Sequence, residues 1–220
     1  MSRGLLGCLV VGIIVVFIAV IVGFWFVGVR NHIVELDQAV DAQWAQVQND
    51  YQRRFDLIPN LVQTVQGAAN FEKSTLVEVT QARARVGQVT NPGGAAPGTT
   101  ANIPNDPAQM AQFEQAQAGL SSALSRLLVV VERYPELKSN ENFLQLQSQL
   151  EGTENRIAVE RRRFNEAAQA YNTYILKFPA SMVAGSRFPK KAYFQGTAGS
   201  AEPPKVQFNF NPSTAATSGQ

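Results

Sequence analysis

Residues 5–29 hold 21 apolar side chains, four glycines and nothing else. Beyond residue 30 the pattern changes to spaced apolar positions among polar ones. At 1.5 Å per residue the unbroken run predicts a helix of about 37 Å, enough to cross a hydrocarbon core of about 30 Å with some tilt. The apolar region of a cleaved leader would be shorter, roughly 7–15 residues, and would end in small residues. This run ends instead in Phe24-Trp25-Phe26, with Arg30 close behind. Aromatic residues followed by a charge suit the membrane–water interface. The run therefore reads as an uncleaved transmembrane anchor. Its glycines form no G-x-x-x-G pair, so that helix-dimer signal is missing.

After the anchor, Ile33, Leu36, Val40, Trp44, Val47, Tyr51, Ile58, Leu61 and Val65 advance in steps of three, four and seven. Those steps hold one stripe on a helix. The stripe passes Pro59 in phase, which predicts one helix kinked there. The alternative is a new helix capped by Asp56, with Pro59 in its first turn. Gly67-Ala68-Ala69-Asn70 predicts a turn, and Leu76, Val79 and Val86 a second helix over about residues 71–88. Residues 90–106, rich in Gly, Pro and Thr, read as a loop that lacks the lysine of a phosphate loop. Asp106 and Pro107 suit the cap and first turn of a third helix, carried by Met110, Phe113, Leu120, Leu124, Leu127, Leu128 and Val131 and ended by Pro135.

The last helix, over about residues 140–177, carries Phe143, Leu150, Ile157, Phe164, Tyr171 and Phe178, each seven apart. A second row is interrupted by Thr153 and Glu160. A strict seven-residue period implies left-handed supercoiling against neighbours. The row is either the seam of an intramolecular bundle or an intermolecular coiled coil. The expected fold is all-α: an N-terminal transmembrane helix followed by an up-and-down antiparallel four-helix bundle with long helices. After a short flank (residues 1–4) and the anchor, residues 30–178 form the bundle and 179–208 a docking tail. Residues 209–220 read as a disordered end.

Composition narrows the chemistry. The single cysteine, Cys8, lies in the apolar run, and the single histidine, His32, close to the membrane surface. No internal disulfide or Cys/His zinc cluster can form, and Cys–His or Ser–His–Asp catalysis is disfavoured. The net charge is +2. The basic excess lies in the tail, where four basic residues face only Glu202, whereas residues 30–178 sum to −2. That balance argues against a nucleic-acid-binding face. Asp37 and Asp41 share a helix face, but no Glu-x-x-His accompanies them, so they read as solvated rather than metal-binding. Arg161-Arg162-Arg163, interspersed with glutamates, reads as solvated ion pairs. No cofactor and no metal are expected.

Two clusters are candidate contact sites. Arg53, Arg54 and Asp56 sit beside Pro59, either as an Arg–Asp network serving the backbone there or as a contact for lipid phosphate or a partner's carboxylate. Lys190 and Lys191, near Tyr193 and Phe194, suit either a membrane-surface contact or docking of the tail on the bundle.

The segment from Tyr51 to Val62, YQRRFDLIPNLV, resembles the YxRRxDLIPNLV-like segment of the LemA family of bacterial membrane proteins. Further matches are Asp41-Ala42-Gln43-Trp44, Thr80-Gln81-Ala82-Arg83, Arg133-Tyr134-Pro135-Glu136-Leu137-Lys138, Glu154-Asn155-Arg156-Ile157, the stretch from Arg161 to Tyr171, Phe178-Pro179 and Tyr193-Phe194. The resemblance covers about residues 30–208. It implies a single-pass anchor in the bacterial cytoplasmic (inner) membrane, an up-and-down helical bundle and no catalytic residue. It also implies a short N-terminus outside and the bundle in the cytoplasm, with membrane quality-control proteases as neighbours. The charges flanking the anchor favour neither orientation.

The functional expectation is a membrane-anchored, non-enzymatic scaffold or adaptor. Its partners would be membrane lipids through the anchor, further copies of itself as a homo-oligomer, and a membrane or membrane-proximal protein. The alternatives are an accessory factor of a membrane enzyme, such as a quality-control protease, or a lipid-binding, membrane-shaping protein.

Overall fold

The computed structural model describes residues 3–67, 72–90 and 105–195, the side chains of 3–10 and 90 excepted. The expected disordered end, the last part of the docking tail and most of the 90–106 loop lie outside the described residues. The described chain is entirely helix and connection: α1 (Arg3–Gln66), α2 (Lys73–Thr90), α3 (Pro107–Val131), α4 (Pro135–Lys138), α5 (Glu141–Leu176) and α6 (Ala180–Ala184). α1 pairs along its length with α5, and α2 with α3. His32 meets Tyr174 at one end of the first pair, while Leu61 and Leu150 line one groove towards the other. The order is therefore up-and-down, with α4 as a single turn at the corner before α5.

α1 is one helix from the apolar run through the expected stripe. From residue 11 its side chains are open on all sides until Val29, which is half-buried, and Ile33, which is fully enclosed. Every stripe position from Ile33 to Val65 is buried except Leu36, which is half-buried. Burying each such side chain is worth roughly 1.5–3 kcal/mol, so this face is what attaches the helix to the bundle.

The helix does not break at Asp56. Pro59 lies within it and has no N–H to give the carbonyl of Phe55, four residues earlier. Arg83 of α2 takes that place. Its Nε lies 3.4 Å from the Phe55 oxygen, and its guanidinium stacks 3.8 Å from the centre of the Phe55 ring. The backbone around Pro59 is thus served from α2, not by an Arg–Asp network within α1.

Local signals set the other boundaries. The Asp106 side chain accepts from the Ala108 N–H at 2.9 Å, with Pro107 in the first turn. Asn140 accepts from the N–H groups of Asn142 and Phe143 and starts α5. Such caps contribute about 1 kcal/mol each. Pro135 does not simply end α3, which stops at Val131; it occupies the first turn of α4, where its missing N–H is harmless.

Five members of the heptad row, from Phe143 to Tyr171, are buried within this chain, so the row is an intramolecular seam. Phe178 is the exception: α5 ends at Leu176, and the ring is 79% exposed. The second row is mended by hydrogen bonds, one within α5 and one from α1. Thr153 is fully buried and donates to the Gln149 carbonyl at 2.7 Å, and Glu160 accepts from Gln43 at 2.6 Å.

The Pro59–Arg83 arrangement predicts a coupling. Arg83→Ala should destabilise the bundle by about 1–2 kcal/mol, the lower range for a charge-assisted bond at this length. In a Pro59→Ala background, which restores the helix N–H, the same change should cost clearly less. Equilibrium denaturation of the four proteins of this cycle measures the coupling, and equal costs in both backgrounds would refute it.

Candidate functional site

The three residues beside Pro59 do not act together. Arg53 and Asp56 face outward, and Asp56 accepts from Gln52 at 2.7 Å. Arg54 turns inward and is only 2% exposed. It occupies a position of the α1 stripe, between Tyr51 and Ile58, and burial there forces its charge to be paired. Its Nη1 donates to Glu154 of α5 at 2.5 Å and to the Ser121 hydroxyl of α3 at 2.9 Å. Its Nη2 donates to the buried amide oxygen of Gln117. The Tyr51 ring lies 5.1 Å from the guanidinium carbon. One side chain of α1 thus ties α3 to α5 through the core. Its partner Gln117 also holds a stripe position, between Phe113 and Leu120. Polar residues at these two places were the readable sign of the cluster.

Burial pushes the Tyr51 hydroxyl above its ordinary range, against the opposing pull of Arg161 and Arg54. It therefore stays neutral beside them.

Glu154 and Ser121 also line an elongated groove between α3 and α5, about 480 Å³ in volume, floored by Leu61, Leu124 and Leu150. A second, more polar groove of about 670 Å³ lies between α2 and α3, with Arg85 and Arg126 at its sides. Arg126 there is paired with Glu78.

The second candidate cluster resolves into tail docking for one lysine. Lys191 is buried, with its Nζ 2.8 Å from Asp37 and 3.9 Å from Asp41. The two aspartates, expected to be merely solvated, thus receive the tail's buried charge. Burial raises the Asp41 carboxyl, Lys191 lowers it in part, and Asp37 raises it further. Lys190 remains exposed.

Two asparagines of α5, seven residues apart, hold the tail's backbone. Asn172 donates to the Lys191 carbonyl and accepts its N–H; Asn165 does the same for Phe194. The Phe194 ring then packs against Trp44, Phe113 and Phe164. Arg161, expected to be solvated, is half-buried; it lies over the Phe194 ring, bonds Glu114 and reaches the Gln195 carbonyl. Arg162 and Arg163 form the expected surface pairs with Glu166 and Glu160. Among the described residues no group of three His, Cys, Asp or Glu side chains is placed to hold a metal ion.

A model of the LemA family matches residues 43–208. Over 81 residues the chain is 38% identical to "Magnetosome protein MamQ 2" of Paramagnetospirillum magneticum, covering 36% of this chain and 30% of that protein. "Magnetosome protein MamQ" of Magnetospirillum gryphiswaldense is 37% identical over 82 residues, 36% of this chain and 29% of that protein. "Protein LemA" of Metamycoplasma hominis is 25% identical over 161 residues, 73% of this chain and 66% of that protein. The chain thus spans less than a third of the magnetosome proteins it matches.

Two predictions follow from the clusters. Glu154→Ala leaves Arg54 buried without its counter-charge and should destabilise by roughly 3 kcal/mol, the low end for a broken buried pair because Glu154 is 41% exposed. Arg54→Met removes the charge itself and should cost less, mainly the orphaned Gln117 amide, about 1–3 kcal/mol. Denaturation midpoints should therefore rank Arg54→Met above Glu154→Ala.

The second concerns Tyr171, whose hydroxyl donates to the Pro189 carbonyl. Burial, with Asp37 and Asp41 adding to it, pushes its pKa from 10.0 to about 12. The folded state thus favours the neutral ring. Its stabilising contribution is complete below pH 10 and is lost as pH rises through about 12. In a near-ultraviolet titration Tyr171 and Tyr51 should both ionise late, and Tyr171→Phe should lower the amplitude of the late step by one tyrosine.

Proposed function

The chain belongs to the LemA family, and from that premise we propose that it is a membrane-anchored helical scaffold that acts through contacts with other proteins rather than by catalysis. The observation that carries this reading is the unbroken α1, which joins an apolar stretch long enough to cross a membrane to the seam of the bundle. A helix without a joint carries the bundle at a fixed height and rotation relative to the bilayer. The charged side chains that sequence motifs single out are spent on holding helices together: Arg54 on Glu154 and Lys191 on Asp37. The chain's one histidine is exposed and bonded to Glu35. These features fit a presenting body better than an active site.

In this reading the anchor crosses the bacterial cytoplasmic membrane once. The relatives named as magnetosome proteins are compatible with a role in organising membrane-associated assemblies. Self-association belongs to the reading too. The heptad row is occupied within the chain, which leaves the anchor and the outer surfaces of α2, α3 and α5 for contacts with further copies or partners.

In-cell photocrosslinking tests this directly. Probes at the exposed Ser125 and Asn155 should give adducts with a second copy or with another membrane-associated protein. A probe at buried Arg54 should give only links within the chain. A monomer in mild detergent with no adduct from any exposed site would end the scaffold reading.

A further inference from the structure

The membrane-proximal end of the bundle carries a surface that its own fold leaves open. α5 runs antiparallel to α1, and Tyr174 stands edge-on to His32 with ring centres 4.6 Å apart. The two helical residues beyond Tyr174, Ile175 and Leu176, therefore lie closer to the anchor, by about 1.5 Å each. α6 packs against α1 and α5. Ala184 and Val183 belong to the same apolar cluster as Ile33 and Val29. Val29 is the last residue of the apolar run. The end of α5 is thus held within about one turn of Val29, where the apolar run ends, and α6 follows it on the same two helices.

At that level the corner faces outward with large apolar side chains. Leu176 is 57% exposed, Phe178 79% and Met182 75%, whereas Ala180 and Ala184 on the inner side are buried. Residues 174–195 contain four basic residues and no acidic one. Lys191 is taken by Asp37 and Asp41. Lys177, Arg187 and Lys190 are exposed, and none is ion-paired to a carboxylate among the described residues. Exposed apolar side chains ringed by unpaired cations would be a poor surface in water. They fit the boundary of a bilayer, where apolar groups enter the acyl region and lysine and arginine meet lipid phosphate.

We propose that the α5–α6 corner is a second membrane contact, in which Phe178, Met182 and Leu176 dip into the same leaflet that α1 leaves, with Lys177, Arg187 and Lys190 on its phosphates. The occupant of this surface is the lipid bilayer itself, because the rigid junction of α1 with the bundle brings the corner to it. The contact deepens the anchored reading above and rests on α1 spanning the membrane. With two contacts on one leaflet, the bundle is fixed in tilt as well as in height.

The test uses the full chain in proteoliposomes, in a Cys8→Ser background with one new cysteine at a time carrying a nitroxide. Phe178→Cys and Met182→Cys probe the corner. Phe17→Cys reports on the anchor and Val129→Cys, on the exposed side of α3, on water. All four positions are exposed, so the labels leave the fold intact. Collision with oxygen is compared with collision with a water-soluble nickel chelate. The corner probes should favour oxygen, as Phe17→Cys does, and the Val129→Cys label should favour the chelate. Adding phosphatidylglycerol to phosphatidylcholine vesicles should shift the corner probes further towards oxygen, and Lys177→Gln/Arg187→Gln/Lys190→Gln should remove that increment. If the corner probes match Val129→Cys while Phe17→Cys is lipid-facing, the second contact is overturned and the anchor stands. If Phe17→Cys is itself water-accessible, the anchored reading falls, and the contact with it.

Discussion

Between Val29 and Ile33 a single helix passes from a surface open on every side to one enclosed by the bundle, without a joint. A helix satisfies its own backbone hydrogen bonds, so it can cross from lipid to water without reorganising. What changes at the crossing is the side-chain pattern, from apolar all round to one apolar stripe. The stripe fixes which face meets α5, and the anchor fixes where that face sits. The orientation of the rest of the bundle, including the corner at α6 and the docked tail, is set by that one continuity.

Buried charge ties distant segments of this packing together. Arg54 reaches two other helices at once, and Lys191 joins the tail to α1 across α5. A buried ion pair is weak evidence for stability, but leaving one partner alone is costly. The segments that carry the family resemblance have this role in common. Arg54 meets Glu154, Pro59 is served by Arg83, and Asn165 and Arg161 hold the tail at Phe194 and Gln195. Each is a place where two distant segments meet.

The regular part of this fold was legible from period alone. The α1 stripe, the Asp106 cap and the row from Phe143 to Tyr171 follow from spacing and from capping chemistry, whereas the Asn140 cap came only with the structure. What spacing could not supply was the fate of polar residues on apolar faces. Arg54 and Gln117 fall in stripe register, yet sequence does not say that they face each other across two helices. The docking of the tail was equally hidden, because Asn165 and Asn172 bind main chain and leave no pattern in the residues they hold. The exposure of Phe178 follows from α5 ending two residues earlier, which breaks a row that the period would have continued.

The continuity of α1 from lipid into the bundle is the claim on which the account stands. It is tested most directly by a pulsed electron-spin distance between labels at Phe24→Cys and Asn60→Cys, in the Cys8→Ser protein reconstituted in bilayers. Thirty-six residues of unbroken helix place these backbone positions about 54 Å apart. A single narrow distribution near that length is expected. A broad distribution, or one centred well below it, would mean that the bundle swings on a hinge near the membrane surface and would contradict the account.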